Sequence, residues 1–360
     1  MGRRVYLDHN ATTPLRAEAR TAMIAAMDLV GNPSSVHAEG RAARGLIERA
    51  RAQVAAALGA DGADVVFTSG ATEAAALACA GRGLSGAMIE HPAVAAWVDT
   101  TLAVDAQGRV RIGDPAGSVL QLANSETGII QDLPEGLAVC DATQAFGKLP
   151  FAFNWSGARM MLVSAHKLGG PKGVGALVMR RGSDPAARLR GGGQEMGRRA
   201  GTENLIGIAG FGAAAEAAAR DLAMGRWDRV SFLRDRLEEA LVGGSKLIIS
   251  IGKGLRRLPN TLCVARPGWK SETQVMQMDL AGFAVSAGSA CSSGKVRESA
   301  VLRAMGFGED VARSALRISL GPDTDEDDVM RFAESWLACE SRYRARVAQA
   351  PQGAIARRIK

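Results

Sequence analysis

The chain has 360 residues, of which 47% are hydrophobic and 4% aromatic, and a formal net charge of +7. That length allows a large core and two domains of ordinary size, while no apolar run approaches the ~20 residues of a membrane span. Six of the seven excess positive charges fall in residues 341–360, which hold no acid; a basic tail of this kind offers at most a weak docking surface, and no nucleic-acid signature accompanies it.

The opening MGRRVYLDHNATTP has two arginines but no apolar signal core, so a cytoplasmic location is expected and no membrane association. Residues 3–7 read as a short strand feeding the DHNATTP turn. Residues 16–29 have helical spacing just after a proline, and 37–58 read as a long helix stopped by Gly59. Asp64 to Thr68 reads as a strand running into SGATE and an alanine-rich helix that starts at Thr72. Such a strand, glycine turn and helix start put the backbone N–H groups of Ala71 and Thr72 where a phosphate is accommodated, although threonine is also an ordinary N-cap. A further short strand over 87–90 delivers His91 ahead of Pro92, a place where histidine is usually a hydrogen-bonded turn residue.

Residues 139–180 hold three apolar runs, the first closed by Asp141 and the second, 160–165, by His166 and Lys167; a Gly/Pro-rich turn precedes the third. Such runs read as buried parallel strands with their working residues at the carboxyl ends, the edge where open α/β sheets bind ligands. An acid and a lysine on one edge suit pyridoxal phosphate, which needs a carboxylate to keep its ring nitrogen protonated and an amine to bond its aldehyde. A capping aspartate and a solvated lysine are the plain alternative. Lysine is scarce, however, at eight against thirty-six arginines, which makes one beside a glycine turn less easily filler.

GGGQEMGRRAGTEN follows, in itself a flexible, solvated loop, then helices over 204–222 and 227–241, and GGSK marks a boundary. Strand and helix then alternate through 246–251, 261–265 and 271–280. The SAGSACSSG loop, a helix near Val301, a strand over 315–320 and a last helix from Asp325 complete the pattern. Five cysteines, an odd number without a CxxC pair, argue against a disulfide framework or a zinc site, and no metal is expected. Cys79, Cys140, Cys263 and Cys339 read as small buried hydrophobes. Cys291 sits among Ser and Gly instead.

SAHKLGGPKGVG and DATQAFGK resemble the pyridoxal phosphate-dependent cysteine desulfurases of the class V aminotransferase fold, the NifS and IscS type. The resemblance extends through YLDHNATTP, GNPSSVHAEG, VVFTSGATEAAALA, EHPAV, NSETGIIQDLP, GGGQEMGRRAGTEN, RLPNTLCVA, SAGSACSSG and SALRISLG, in the family's order to about residue 320. It implies an α/β fold-type I pyridoxal phosphate transferase. A large domain, 14–241, would hold a mostly parallel sheet between helices; a small α/β domain, 1–13 with 242–345, would carry the cysteine loop; 346–360 would be a disordered basic tail.

The resemblance further implies conversion of L-cysteine to L-alanine, with sulfur held as a persulfide on Cys291. Lys167 would anchor the cofactor, Asp141 face its ring nitrogen, Gln144 its phenolic oxygen, and His91 stack on the ring and move protons. Ala71, Thr72, Ser164 and His166 would hold the phosphate, with Thr202 reaching the neighbouring subunit's phosphate in a homodimer. Arg317 would bind the substrate carboxylate, with Asn124 and Ser125 beside it. A sulfur acceptor such as an iron-sulfur scaffold protein is the implied partner. Two departures stand out: the stretch from His91 to Asp141 is shorter than in the family, which would leave one sheet face thinly covered, and Ser125 replaces the second asparagine of Asn-Asn-Glu. They motivate one alternative, a degenerate homologue that only binds a sulfur-assembly partner; the other is a different class V enzyme such as a selenocysteine lyase or an aminotransferase, and the cysteine in SAGSACSSG argues against the aminotransferase.

Overall fold

The structure, a computed structural model, describes residues 3–288 and 298–349; Cys291 and residues 350–360 of the expected tail lie outside them. In chain order the elements are β1 (Val5–Tyr6), α1 (Ala17–Met27), α2 (Ala38–Ala57), β2 (Asp64–Thr68), α3 (Ala71–Cys79), β3 (Ser85–Ala87), α4 (Pro92–Ala95), β4 (Asp99–Leu102), β5 (Val119–Gln121), β6 (Val139–Asp141), β7 (Met160–Ser164) and β8 (Gly175–Met179). They continue with α5 (Leu205–Ala223), α6 (Arg226–Gly244), β9 (Ile249–Ile251), β10 (Thr261–Ala265), α7 (Ser271–Leu280), β11 (Phe283–Ala284), β12 (Ser286–Ala287), α8 (Ala300–Ala304), α9 (Glu309–Ala312), β13 (Ala315–Ser319) and α10 (Glu326–Gln349). The last helix therefore runs past residue 345 into the segment expected to be disordered.

The first sheet has the order β2-β8-β7-β6-β5. β5, β6 and β7 are parallel, and β8 is antiparallel to both β7 and β2, so β2 runs with β7. The parallel expectation holds for the first two apolar runs and fails for the third: the turn at 168–174 is too short for a crossover, so β8 returns beside β7 as a hairpin. Side chains alternate across the sheet. Val65, Phe67, Met161, Val163, Ala176 and Val178 pack with residues of α1, α2 and α5, whereas Val66, Met160, Leu162, Leu177 and Met179 pack against α3.

The shortened middle has the expected economy. α4 is only four residues long, and β5 passes to its parallel neighbour β6 through 122–138 without any helix. The expected thin cover does not follow, because all three residues of β5 and of β6 are buried. Val119 and Val139 share a cluster with Leu84 of the turn before β3 and Val94 of α4, which cover that face of the sheet.

The second sheet, β12-β13-β10-β9, is antiparallel throughout. Leu262, Val264, Leu316 and Ile318 face α6, α7 and α10 through Leu237, Met278, Phe332 and Trp336, while Cys263, Ile251 and Ala315 face Ile129, Leu302 and Met305. The chain's first strand belongs to this side: β1 pairs in parallel with β11, and Asp8 bridges to Ser319. Residues 9–13 then cross to the first sheet, where the Thr13 N–H donates to His166 O at 2.9 Å.

Candidate active site

Because β2, β6 and β7 run the same way, their carboxyl ends share one edge, and a cavity of about 590 Å³ opens there. β6 delivers Asp141, 8% exposed, whose Oδ1 accepts the Thr143 N–H at 2.8 Å and so closes the turn after the strand. β7 delivers Ser164, and the helical turn that follows presents His166 and Lys167. β2 leads through Gly70 into α3, which places Ala71 and Thr72 in its first turn on the same wall. The close approach of this turn to β8 requires glycine at 175, since a Cβ there would lie 2.6 Å from Val163 O and 2.7 Å from the Gly70 backbone.

The Lys167 amine donates to the main-chain oxygens of Asn10 (2.6 Å) and Ala11 (2.9 Å). His166 Nδ1 meets Thr12 Oγ1 at 3.1 Å. Burial first, then Lys167, Lys172 and Lys148, push its pKa down to about 4, so at neutral pH the ring is an uncharged hydrogen-bonding group. Lys167, Lys172 and the first turn of α3 surround the same space, a setting that favours an anion. His91 caps α4, its Nδ1 accepting the Ala93 N–H at 3.1 Å, and it also lines the cavity. His91 is thus a hydrogen-bonded turn residue that also borders the cavity.

Arg317 comes from β13 of the other sheet and is 2% exposed. Its Nη1 donates to Ser125 O at 3.1 Å and its Nη2 to Asp8 Oδ1 at 2.9 Å, while Ser286 Oγ holds the other Asp8 oxygen at 2.8 Å. Each terminal nitrogen keeps a second N–H with which to meet a carboxylate. Asp8 was not foreseen; the DHNATTP stretch read only as a turn, and no short-range signal links it to a residue more than three hundred positions away.

The expected residues mostly converge. Ala71, Thr72, His91, Ser125, Asp141, Gln144, Ser164, His166, Lys167 and Arg317 line the one cavity. Asn124 does not: it is 1% exposed, and its Oδ1 accepts the N–H groups of Glu126 (3.0 Å) and Thr127 (2.8 Å) while its Nδ2 donates to Ile89 O (3.1 Å). It holds the 124–129 turn in shape and does not line the cavity. Thr202 is exposed and lies off this cavity. Its loop is anchored where Glu195, at φ 46°, buries its carboxylate against Arg51 (2.8 and 3.0 Å) and the Phe67 N–H (2.9 Å).

Unforeseen acids flank the site. Burial, then the neighbouring Asp141, hold the Glu90 carboxyl well above its usual range. Burial raises Glu126 to about 7; both residues lie inside motifs already noted, EHPAV and NSETG, but nothing local in a sequence tells a buried acid from an exposed one.

Ser125 contributes its carbonyl to Asn10 and Arg317, and that contact survives any side chain. Ser125→Asn is therefore expected to leave the fold intact and change turnover by no more than one neutral hydrogen bond's worth, ~0.5–1.5 kcal/mol or roughly two- to tenfold upward. Steady-state kinetics with melting temperatures check it, and a collapse of turnover would show a site rebuilt around serine.

The donors fit a phosphorylated aldehyde with a basic ring nitrogen. Lys167 and the Asp141 carboxylate share the cavity with the α3 turn, and Thr143 Oγ1, on the cavity wall, is buried without a partner among the described residues. Residues 5–93 and 117–332 match the family description "Aminotransferase class-V", and the break between them falls on the shortened stretch. A cysteine desulfurase of Cereibacter sphaeroides is 40% identical, covering 92% of this chain and 94% of its own; one of Klebsiella pneumoniae is 37% identical, over 91% and 90%. A NifS-like protein from Rickettsia africae ESF-5 superposes with a TM-score of 0.83 at 30% identity, over 92% of this chain and 98% of that one. A structure described as SspA in complex with cysteine has a TM-score of 0.72 at 28% identity, over 88% and 99%.

Proposed function

We infer the division of labour within the site from one premise: the chain belongs to the class V aminotransferase family and is a pyridoxal phosphate-dependent cysteine desulfurase. The observation that carries the assignment of roles is the meeting of Asp141 and Lys167, from adjacent parallel strands, with Arg317 from the second sheet in one cavity. When bound, pyridoxal phosphate supplies a conjugated pyridinium that accepts the electron pair released at the substrate's α-carbon.

Lys167 anchors the cofactor and moves the α-proton. The Asp141 carboxylate, kept in place by the Thr143 N–H, holds the proton on the ring nitrogen. Ala71, Thr72, Ser164 and His166 bind the phosphate, and Gln144 faces the phenolic oxygen. His91 stacks on the ring and moves a proton to or from the substrate. Arg317 binds the carboxylate of L-cysteine. The Cys291 thiolate forms a bond to the substrate sulfur as the C–S bond breaks; the carbon keeps the electron pair and is protonated to L-alanine, leaving a persulfide on Cys291.

The exposed Thr202 on its anchored loop suits a contact with the phosphate site of a second copy, so a homodimer is part of the proposal. So is the division into a large domain over 14–241 and a small one over 1–13 and 242–345, supported by the pairing of β1 with β11. Delivery of the sulfur to an iron-sulfur scaffold or a thiolation acceptor, in the cytoplasm, completes it; among the described residues no helix is long and apolar enough to cross a membrane.

The test is to incubate the purified protein with pyridoxal phosphate, L-cysteine and a reductant. Alanine and sulfide in equal amounts are the expected products. Amino-group transfer to a 2-oxo acid, a strong preference for selenocysteine, or binding without alanine would each replace this function. Within that assay Arg317→Lys, which loses the two-pronged donor, is expected to raise KM for L-cysteine roughly 10- to 100-fold with a smaller effect on kcat. An unchanged KM would remove Arg317 from the substrate.

A further inference from the structure

Behind the cavity wall lies a lysine that the roles above leave unused. Lys148 is 2% exposed, and its amine meets two amide oxygens, Gln144 Oε1 at 2.8 Å and Asn10 Oδ1 at 3.2 Å. The charges acting on it are Lys167 and Arg317, both positive, and no carboxylate does so among the described residues. Burial first, then those two cations, push its pKa well below that of an ordinary lysine. A long amine buried without a counter-ion costs stability. What the arrangement provides is orientation.

An amine that donates N–H to an amide selects its oxygen end. With Gln144 Oε1 turned to Lys148, the Gln144 N–H₂ faces the cavity side, where it donates to Asn10 O at 3.0 Å. Asn10 is fixed in the same way: its Oδ1 takes Lys148 and Asn260 Nδ2 (3.0 Å), and its Nδ2 donates to Thr261 Oγ1 (2.8 Å) and Ser125 O (3.3 Å). The main-chain oxygen of Asn10 is the one on which the Lys167 amine rests at 2.6 Å. We propose that Lys148 is a positioning residue of the cofactor pocket: it holds Gln144 with its N–H₂ toward the cavity and, through Asn10, fixes the oxygen that receives Lys167.

This rests on the reading of the cavity as a pyridoxal phosphate site. The test uses the full chain stripped of cofactor and titrated with pyridoxal phosphate, following the visible band and its Kd, in wild type, Lys148→Met, Gln144→Met and the double variant. Lys148→Met is expected to raise Kd roughly three- to tenfold and to move the band. Because Lys148 acts in part through Gln144, the two losses should combine in the double variant to less than their product. Effects that multiply, or a Lys148→Met protein with a lower melting temperature but unchanged Kd and band, would reduce Lys148 to a structural role and overturn the proposal. Should the Met variant fail to fold, Lys148→Gln, which keeps an N–H₂ donor, carries the test; it is expected to bind within about twofold of wild type, and a loss as large as that of Gln144→Met overturns the proposal. Failure of the wild type itself to bind pyridoxal phosphate would instead refute the underlying reading.

Discussion

Lys167→Ala is expected to purify without the visible band of covalently held pyridoxal phosphate and to lose turnover of L-cysteine by roughly 10²–10⁴-fold from the missing proton transfer alone. Among the described residues three lysines lie near the site, and geometry separates them. Lys148 is buried and engaged by Gln144 and Asn10. Lys172 shares the cavity but enters it from the turn before β8, beside the anion-favouring end of α3. Lys167 follows directly on β7, whose neighbour β6 presents Asp141 at the same edge. Lys172→Ala should therefore keep the band while weakening retention of the phosphate. Borohydride reduction followed by peptide mapping decides the matter, and a tag on Lys148 or Lys172 ends the assignment.

The second large effect concerns sulfur. Cys291→Ser should retain the cofactor band and its spectral response to L-cysteine, yet release no sulfide and carry no persulfide. A free thiol has a pKa near ~8.5 and is only a few per cent thiolate at neutral pH, so a nucleophilic cysteine needs water or a cation nearby. Of the four described cysteines, Cys339 has a cation in contact, Arg342 Nη2 at 3.0 Å, but none lies open to water. All are buried; burial pushes Cys79 up to about 12 and raises Cys140 and Cys263 well above their ordinary range. None of these three presents a thiolate to a substrate. Persulfide found on Cys79 or Cys263 of an active Cys291→Ser protein would sink the proposal.

The parts of the site that local pattern revealed are those where a strand end and a reactive side chain are neighbours in sequence. Asp141, His166 and Lys167 each close an apolar run, and Thr72 follows one after a glycine turn. The contacts that assemble the site are of another kind. Asp8 meets Arg317 and Asn10 meets Thr261 across more than two hundred and fifty residues, and no periodicity announces such pairs. Asn124 was misjudged for a related reason: an amide inside a tight turn is as readily consumed by that turn's own N–H groups as by a ligand. The reversed β8 was legible in principle, since seven residues of turn cannot hold a crossover helix, but apolar strands look alike in either direction.

The pairing of Val5 with Phe283 sets an order of events during synthesis. At roughly 5–20 residues per second, the first strand waits about 15–60 s for its neighbour to be made. Over that interval Asn10 has neither Thr261 nor Asn260 against it for most of the time, and Asp8 has no Arg317 until later still. The ribosome-bound chain can assemble the first sheet, with Lys167 and Asp141 already on one edge, before the oxygens that hold the lysine amine are fixed. Nascent chains arrested before β13 are therefore expected to bind pyridoxal phosphate more weakly than the released protein.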